Sequence, residues 1–258
     1  MTSVALKGLL GRKLRAVLTA LSVVLGVAMV SGSFVLTDSI QQAFHTLFSS
    51  SYSNTDAVIT GKKLVDYSNS GNATIPASLL ATVRAQPGVA RAEGVISDMS
   101  GGALSAKLYD KHGKIITGGG NPTMGVGIDP RATKFNPMHL TSGRWASAYG
   151  EVVIDKNAAG KYGFSVGDTT KVAVDAGVFP VKIVGVARYG NVDSLGGATF
   201  AVFDVPTAQK LFKLGSSFTA ISVEAKDGVA ATSLVSQLRR ITPATAQVRT
   251  GADQAAKD

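Results

Sequence analysis

Apolar positions fall into three regimes along this chain. Between Arg15 and Asp38 lies AVLTALSVVLGVAMVSGSFVLT, 22 residues without a charge. A helix rises ~1.5 Å per residue, so such a run spans roughly 33 Å, against a bilayer core of about 30 Å. Its polar members are serines and threonines, which bond back to carbonyls of their own helix. Gly26 and Gly32 allow close approach of a neighbouring helix. The run predicts a transmembrane helix over 16–37. In the next stretch, TDSIQQAFHTLFSSSY, the residues Ile40, Phe44, Leu47 and Phe48 recur at helical spacing. The helix is expected to continue outward as a stalk over 38–54, with an apolar stripe that needs a partner.

From Thr55 the pattern shortens into alternating strands and helices. DAVIT, VARAEGVISDM and ALSAKLYD read as strands. IPASLLATVRAQPGV reads as a helix, with Pro76 near its first turn, Leu79, Leu80 and Val83 on one face, and Pro87-Gly88 ending it. The glycine-rich stretch from Gly113 to Pro137, including GGGNPTMGVGID, reads as hairpin turns and irregular crossings. EVVID is a strand and KNAAGKYG a short helix stopped by Gly163. FSVGDTTKVAV turns into a strand at Gly167-Asp168, and FPVKIVGVARYG and ATFAVFD are further strands. Pro206 starts the helix PTAQKLF, and FTAISVEA is a strand. DGVAATSLVSQLRRIT is a helix with Val229, Leu234, Val235 and Leu238 inward, and AQVRT closes as a strand. The fold class is α+β.

Charge adds an orientation. Net charge is +9, from 26 basic and 17 acidic residues. Lys7, Arg12, Lys13 and Arg15 precede the apolar run with no acidic residue among them, which puts the N-terminus in the cytoplasm and the bulk of the chain outside. With Val4, Leu6, Leu9, Leu10 and Leu14 they also make 1–15 a basic amphipathic segment suited to membrane lipid. A cleaved signal peptide, leaving a secreted domain, is the rival. The apolar run is longer than the usual ~7–15 residues of such peptides. No A-x-A-like site closes it, Ser31-Gly32-Ser33 being a weak substitute. Elsewhere the charges are mixed, and no stripe of Lys or Arg interleaved with aromatics supports a nucleic-acid partner. The absence of cysteine excludes a disulfide scaffold, a thiolate zinc site and a cysteine nucleophile.

Candidate chemistry is sparse. GFSVG, Gly163 to Gly167, fits G-x-S-x-G, but a nucleophile elbow needs a strand before the serine and a helix after it. Here the order is reversed. No histidine follows Ser165, whereas that fold orders its triad Ser, Asp/Glu, His. Phe164 and Val166 are expected inward and Ser165 outward. Glu151 and Asp155 form a carboxylate pair four residues apart, the basis for reading a membrane-anchored enzyme, although most such pairs are solvated surface charges. His45, His112 and His139 lack metal-site spacing. The glycine-rich stretch lacks the G-K-[ST] of a phosphate loop. Arg144 is expected to bond backbone carbonyls in a turn, and Trp145 to be a strand-edge core residue. Asn72-Ala-Thr is a glycosylation sequon of the kind chance produces.

Taken in order, several of these runs resemble one family. LKGLLGRKLRAVLTALSVVLGVAMV resembles the first transmembrane segment of ABC-transporter permeases of the FtsX-like/MacB-like family, in which a basic start leads into L-T-x-L-x-x-x-x-G. GRWASAYGEVVIDKNAAGKYGFSVGDTTKV is similar to a run in that family's extracytoplasmic core domain, and FPVKIVGVARYG to the strand after it. The closing VRTGADQAAKD looks like the start, over 251–258, of a helix leading to a second transmembrane segment. The resemblance covers nearly the whole chain and is weakest over 61–135.

It implies a two-part extracytoplasmic domain. A porter-like α+β part would take 55–100 and 198–250, and an inserted mostly-β part 101–197. Family members carry four transmembrane helices per repeat unit, so this chain, with one membrane-length segment, is expected to be a truncated piece or the product of a split gene. The implied function is that of a permease subunit. It would couple ATP hydrolysis by a cytoplasmic ABC ATPase to movement of the extracytoplasmic domain, for export or lipid and lipoprotein handling, with the permease as a homodimer or pseudo-dimer. ATP would bind the partner, leaving no cofactor in this chain. The alternative within the family is a mechanotransmitting adaptor that activates an envelope enzyme without moving cargo. No catalytic, cofactor or metal residue is assigned, and substrate-binding residues are left unassigned.

Overall fold

The computed structural model describes residues 13–52, 54–62, 72–97, 104–116, 123–132, 134–193 and 197–257. The chain divides into two units, Met1–Leu47 and Phe48–Asp258. The first is dominated by α1 (Lys13–Ser51), a helix of 39 residues that runs on past the unit boundary and is unbroken at Gly26 and Gly32. Within it Val17–Val35 has a mean hydropathy of 2.0 and the length to cross a membrane, and none of that window is buried. Two of its hydroxyls bond within the helix: those of Thr19 and Thr37 donate to the carbonyls of Arg15 and Ser33, 2.9 Å each. Residues 1–12, and the side chains of Ile40, Phe44, His45, Leu47 and Phe48, lie outside the described residues.

The second unit holds two main sheets. The strands β1 (Ala57–Gly61), β3 (Val89–Val95), β12 (Ala220–Ala225) and β13 (Ala246–Thr250) form a four-stranded sheet in the order β13-β1-β12-β3, each neighbour antiparallel. Two helices, α2 (Ala77–Arg84) and α5 (Ala231–Arg239), cover one face. Leu79, Leu80 and Val83 of α2 and Leu234, Val235 and Leu238 of α5 meet Ala57, Ile59, Ile221 and Val223 in one buried cluster. Period 3.6 in the helices and period 2 in the strands put these residues on facing surfaces. The units β1-α2-β3 and β12-α5-β13 interlock, each supplying the strand that lies inside the other, as in a split βαβ fold. A short pair, β2 (Ile75–Pro76) with β11 (Ser217–Phe218), stands apart.

The residues between these units build a seven-stranded mixed sheet. Its path is β4 (Lys107–Leu108), β8 (Thr169–Val174), β9 (Gly177–Tyr189), β7 (Glu151–Asp155), β10 (Thr199–Asp204) and β5 (Thr123–Ile128), with β6 (Met138–Gly143) also on β9. The pairs β7/β9 and β10/β5 are parallel. Two short helices, α3 (Lys156–Tyr162) and α4 (Val205–Leu211), follow β7 and β10, and α6 (Gly251–Ala255) follows β13.

Two expectations need correction. The boundary placed at 198 does not coincide with the sheets, because β10 belongs to the seven-stranded one. Every residue of β10 is buried, as suits an interior strand covered on both faces. The glycine-rich stretch contains a strand, β5, not only turns. Gly125 and Gly127 lack side chains because other groups occupy that space: an added Cβ would fall 2.0 Å from Phe212 Cζ at the first and 2.5 Å from Ala208 Cβ at the second. The run LTSG lies within the strand β6.

Candidate functional site

The GFSVG motif is structural. Asp155 caps α3, its Oδ1 accepting from Ala158 N at 2.7 Å, and Gly163 ends the helix in the left-handed region at φ 68°. Phe164 turns inward at 6% exposure, while Ser165 is exposed. Val166 is 44% exposed, which corrects its reading as an inward anchor; the turn, not strand alternation, sets its direction. Asp168 closes the turn by accepting from Ser165 N at 3.0 Å and pairs with Lys111 at 3.1 Å. These two contacts, the backbone bond foremost, hold its carboxyl below the usual range. Helix precedes Ser165 and strand follows it, so the geometry lacks an elbow.

Glu151 and Asp155 take separate duties. Arg144 grips Glu151 through both terminal guanidinium nitrogens, with Nη1 at 2.8 Å from Oε2, and also bonds the Trp145 carbonyl at 3.0 Å. This pairing, with Ser147 N–H, draws the Glu151 pKa down to about 2. Asp155 is fully buried, and its Oδ2 accepts from Phe200 N at 3.2 Å. Burial outweighs those backbone bonds and pushes its pKa to about 6. Four residue steps along the strand separate the two carboxyls, roughly 13 Å along the chain, so they do not converge on one proton. Trp145 is half-buried, beside the buried Ala146. Among the described residues no three His, Asp or Glu gather as metal ligands.

An apolar cleft lies inside the second unit, between its two sheets. The face of the four-stranded sheet away from α2 and α5 contributes Val58 and Ser222, and the other wall is formed by Met124 and Val126 of β5 with Phe135 and Met138. It has a volume of about 100 Å³. Lys134 ties the loop before β6 to Glu224 of β12, and its carbonyl accepts from Asn54 Nδ2 at 3.1 Å. Sequence reading missed this cleft because β5, which supplies one wall, carries glycine at alternate positions.

Comparison with known proteins places this architecture. The family model for the MacB-like periplasmic core domain matches residues 16–241, taking in the apolar helix and most of both sheets. The chain belongs to this family. A MacB-like chain is a membrane protein of the ABC transporter permease family, which implies a cytoplasmic ABC ATPase as partner and a non-enzymatic component here. The crystal structure of the periplasmic region of MacB from Actinobacillus actinomycetemcomitans aligns with a TM-score of 0.53 at 17% identity, covering 79% of this chain and 92% of that one. The extracellular domain of the noncanonic ABC-type transporter YknZ from Gram-positive bacteria aligns at a TM-score of 0.49 and 13% identity, covering 74% of this chain and 98% of that one. Among curated protein sequences none matches.

Proposed function

We propose that this MacB-like chain is the part of a permease that carries mechanical displacement between an ATPase in the cytoplasm and a domain outside. The supporting observation is the unbroken backbone of α1. At ~1.5 Å per residue its 39 residues extend roughly 58 Å, well beyond a bilayer core of about 30 Å. A continuous hydrogen-bonded helix transmits axial motion without help from any particular side chain. Lys13 and Arg15 at its start favour a cytoplasmic N-terminus. The permease would work as a dimer or pseudo-dimer, and ATP would be held by the partner subunit. The displaced domain would serve export or lipid and lipoprotein handling.

The test breaks the helix and leaves composition nearly intact. Phe44→Pro and Leu47→Pro remove a backbone donor and clash with the preceding turn. In the assembled transporter each should leave ATP hydrolysis running while abolishing the work it drives. Phe44→Ala and Leu47→Ala should leave both in place. Full coupling in the two proline variants would refute helix transmission.

A further inference from the structure

The two interlocked halves of the four-stranded sheet share one β-α-β plan, and their difference is informative. Each half ends its helix in a matching run, Ser78-Leu79-Leu80-Ala81-Thr82-Val83-Arg84 in α2 and Ser233-Leu234-Val235-Ser236-Gln237-Leu238-Arg239 in α5. In each, the last arginine reaches the carbonyl of the following end strand: Arg84 Nε donates to Ala92 O at 2.8 Å, and Arg239 Nη2 to Val248 O at 3.2 Å. The next residue then differs. After Ala92 comes Glu93, whose carboxylate accepts from Arg84 Nη2 at 3.1 Å. After Val248 comes Arg249. A counter-charge in the first half is replaced by a second guanidinium in the other.

The substitution sits in a cleft. Lys62, Arg239, Arg249, Thr242 and Gln247 help to line a cleft of about 350 Å³ at the free edge of β13, and no acidic residue is among its lining. Arg239 engages a neutral carbonyl, and Arg249 a neutral amide oxygen, Gln254 Oε1, at 3.4 Å. None of the three cations has an acidic partner within 4.0 Å among the described residues. Like charges gathered without a counter-charge repel one another and draw an anion from outside.

We propose that this cleft binds a phosphate group. Guanidinium donors form a planar fork that matches phosphate oxygens, and Lys62 adds a point charge beside them. Strand addition by an acidic peptide fits less well, because Arg239 already covers the outward carbonyl of Val248 and blunts the edge. The volume exceeds that of a lone phosphate and leaves room for what is esterified to it. A free phosphate and a phospholipid headgroup share this chemistry.

The test is calorimetric titration of the full chain in detergent micelles at fixed ionic strength. One arm uses inorganic phosphate, the other dihexanoyl phosphatidic acid. Saturable binding is expected in at least one arm, and tighter binding of the lipid identifies a headgroup as the source. R249E sets a carboxylate against Arg239 as Glu93 stands against Arg84. It should keep the unfolding midpoint and weaken binding at least about tenfold. Should R249E fail to fold, the double variant K62Q/R249Q carries the same expectation. No binding in either arm overturns the proposal, as does binding unmoved in a folded variant. Binding of a polyglutamate peptide in place of phosphate overturns it too.

Discussion

The two sheets of the second unit share one buried apolar core but differ in how far single contacts fix it. Over the four-stranded sheet, α2 and α5 spread Leu79, Leu80, Val83, Leu234, Val235 and Leu238 across Ala57, Ile59, Ile221 and Val223. Cohesion there is area, shared among many apolar contacts. The seven-stranded sheet buries apolar area too, with Val152, Ile154, Val172, Ile183 and Phe203 in the same cluster, and adds single points that leave no slack. Gly125 lies under the ring of Phe212, Gly127 under Ala208, and one buried carboxylate holds backbone donors from α3 and β10. Area tolerates exchanges that keep volume and shape, whereas a point contact does not.

The largest expected effect tests that contrast directly. Gly125→Val would drive side-chain atoms into Phe212, itself buried and stacked edge-on against Phe203 at 6.3 Å, so it has little room to yield. The loss should be about 3 kcal/mol. Leu80→Met, a volume-conserving change in the other sheet, should cost under about 1.5 kcal/mol. Urea unfolding of the two variants measures both, and equal losses would erase the distinction between area and point.

Asp155 is the next point. Asp155→Ala strands the N–H groups of Ala158 and Phe200 in the interior and should cost about 2 kcal/mol. Its pKa adds a signature. Burial raises it from 3.8 to about 6, so between those values the native state holds a proton that the unfolded state has lost. Asp155 therefore contributes stability that is fully present below pH 3.8 and fades as pH rises through about 6. Glu151 behaves oppositely. Arg144 lowers it from 4.5 to about 2, so its contribution is present above pH 4.5 and lost as pH falls toward about 2. Unfolding free energy followed over pH should lose the first slope in Asp155→Asn and the second in Glu151→Gln. Asp155→Asn should also be less stable at pH 7, since its amide offers one acceptor where two backbone donors converge. A wild-type slope of opposite sign between pH 4 and 6 would reject the assignment to Asp155.

The same contrast explains what could be read in advance. In the four-stranded sheet, the inward residues of α2 and α5 follow from periodicity, with Val229 alone half-buried among those named. Area leaves a repeating pattern. Points leave none: β5 is missed because its glycines erase the apolar alternation a strand shows. Asp155 stands in the sequence as half of a carboxylate pair, and only the fold reveals it as a cap joining α3 to β10. The opposition of Glu93 and Arg249 needs the sheet to set the two in equivalent places. Its trace in the chain is the likeness of SLLATVR to SLVSQLR, visible to a search for internal repeats.

The smallest effects are expected in the turn that holds the serine-hydrolase pattern, and they sharpen the contrast because point and bystander stand two residues apart. Gly163 has φ 68° with open space where a Cβ would lie, so the obstacle to substitution is backbone strain alone. Gly163→Ala should cost about 1 kcal/mol. Ser165 points to solvent, and its backbone N–H, not its hydroxyl, makes the bond to Asp168. Ser165→Ala keeps that bond and should change stability by no more than about 0.5 kcal/mol. Thermal unfolding of the two variants side by side separates the roles. A loss at Ser165 equal to that at Gly163 would mean that the hydroxyl carries a contact of its own, and the turn would then be more than a way from α3 into β8.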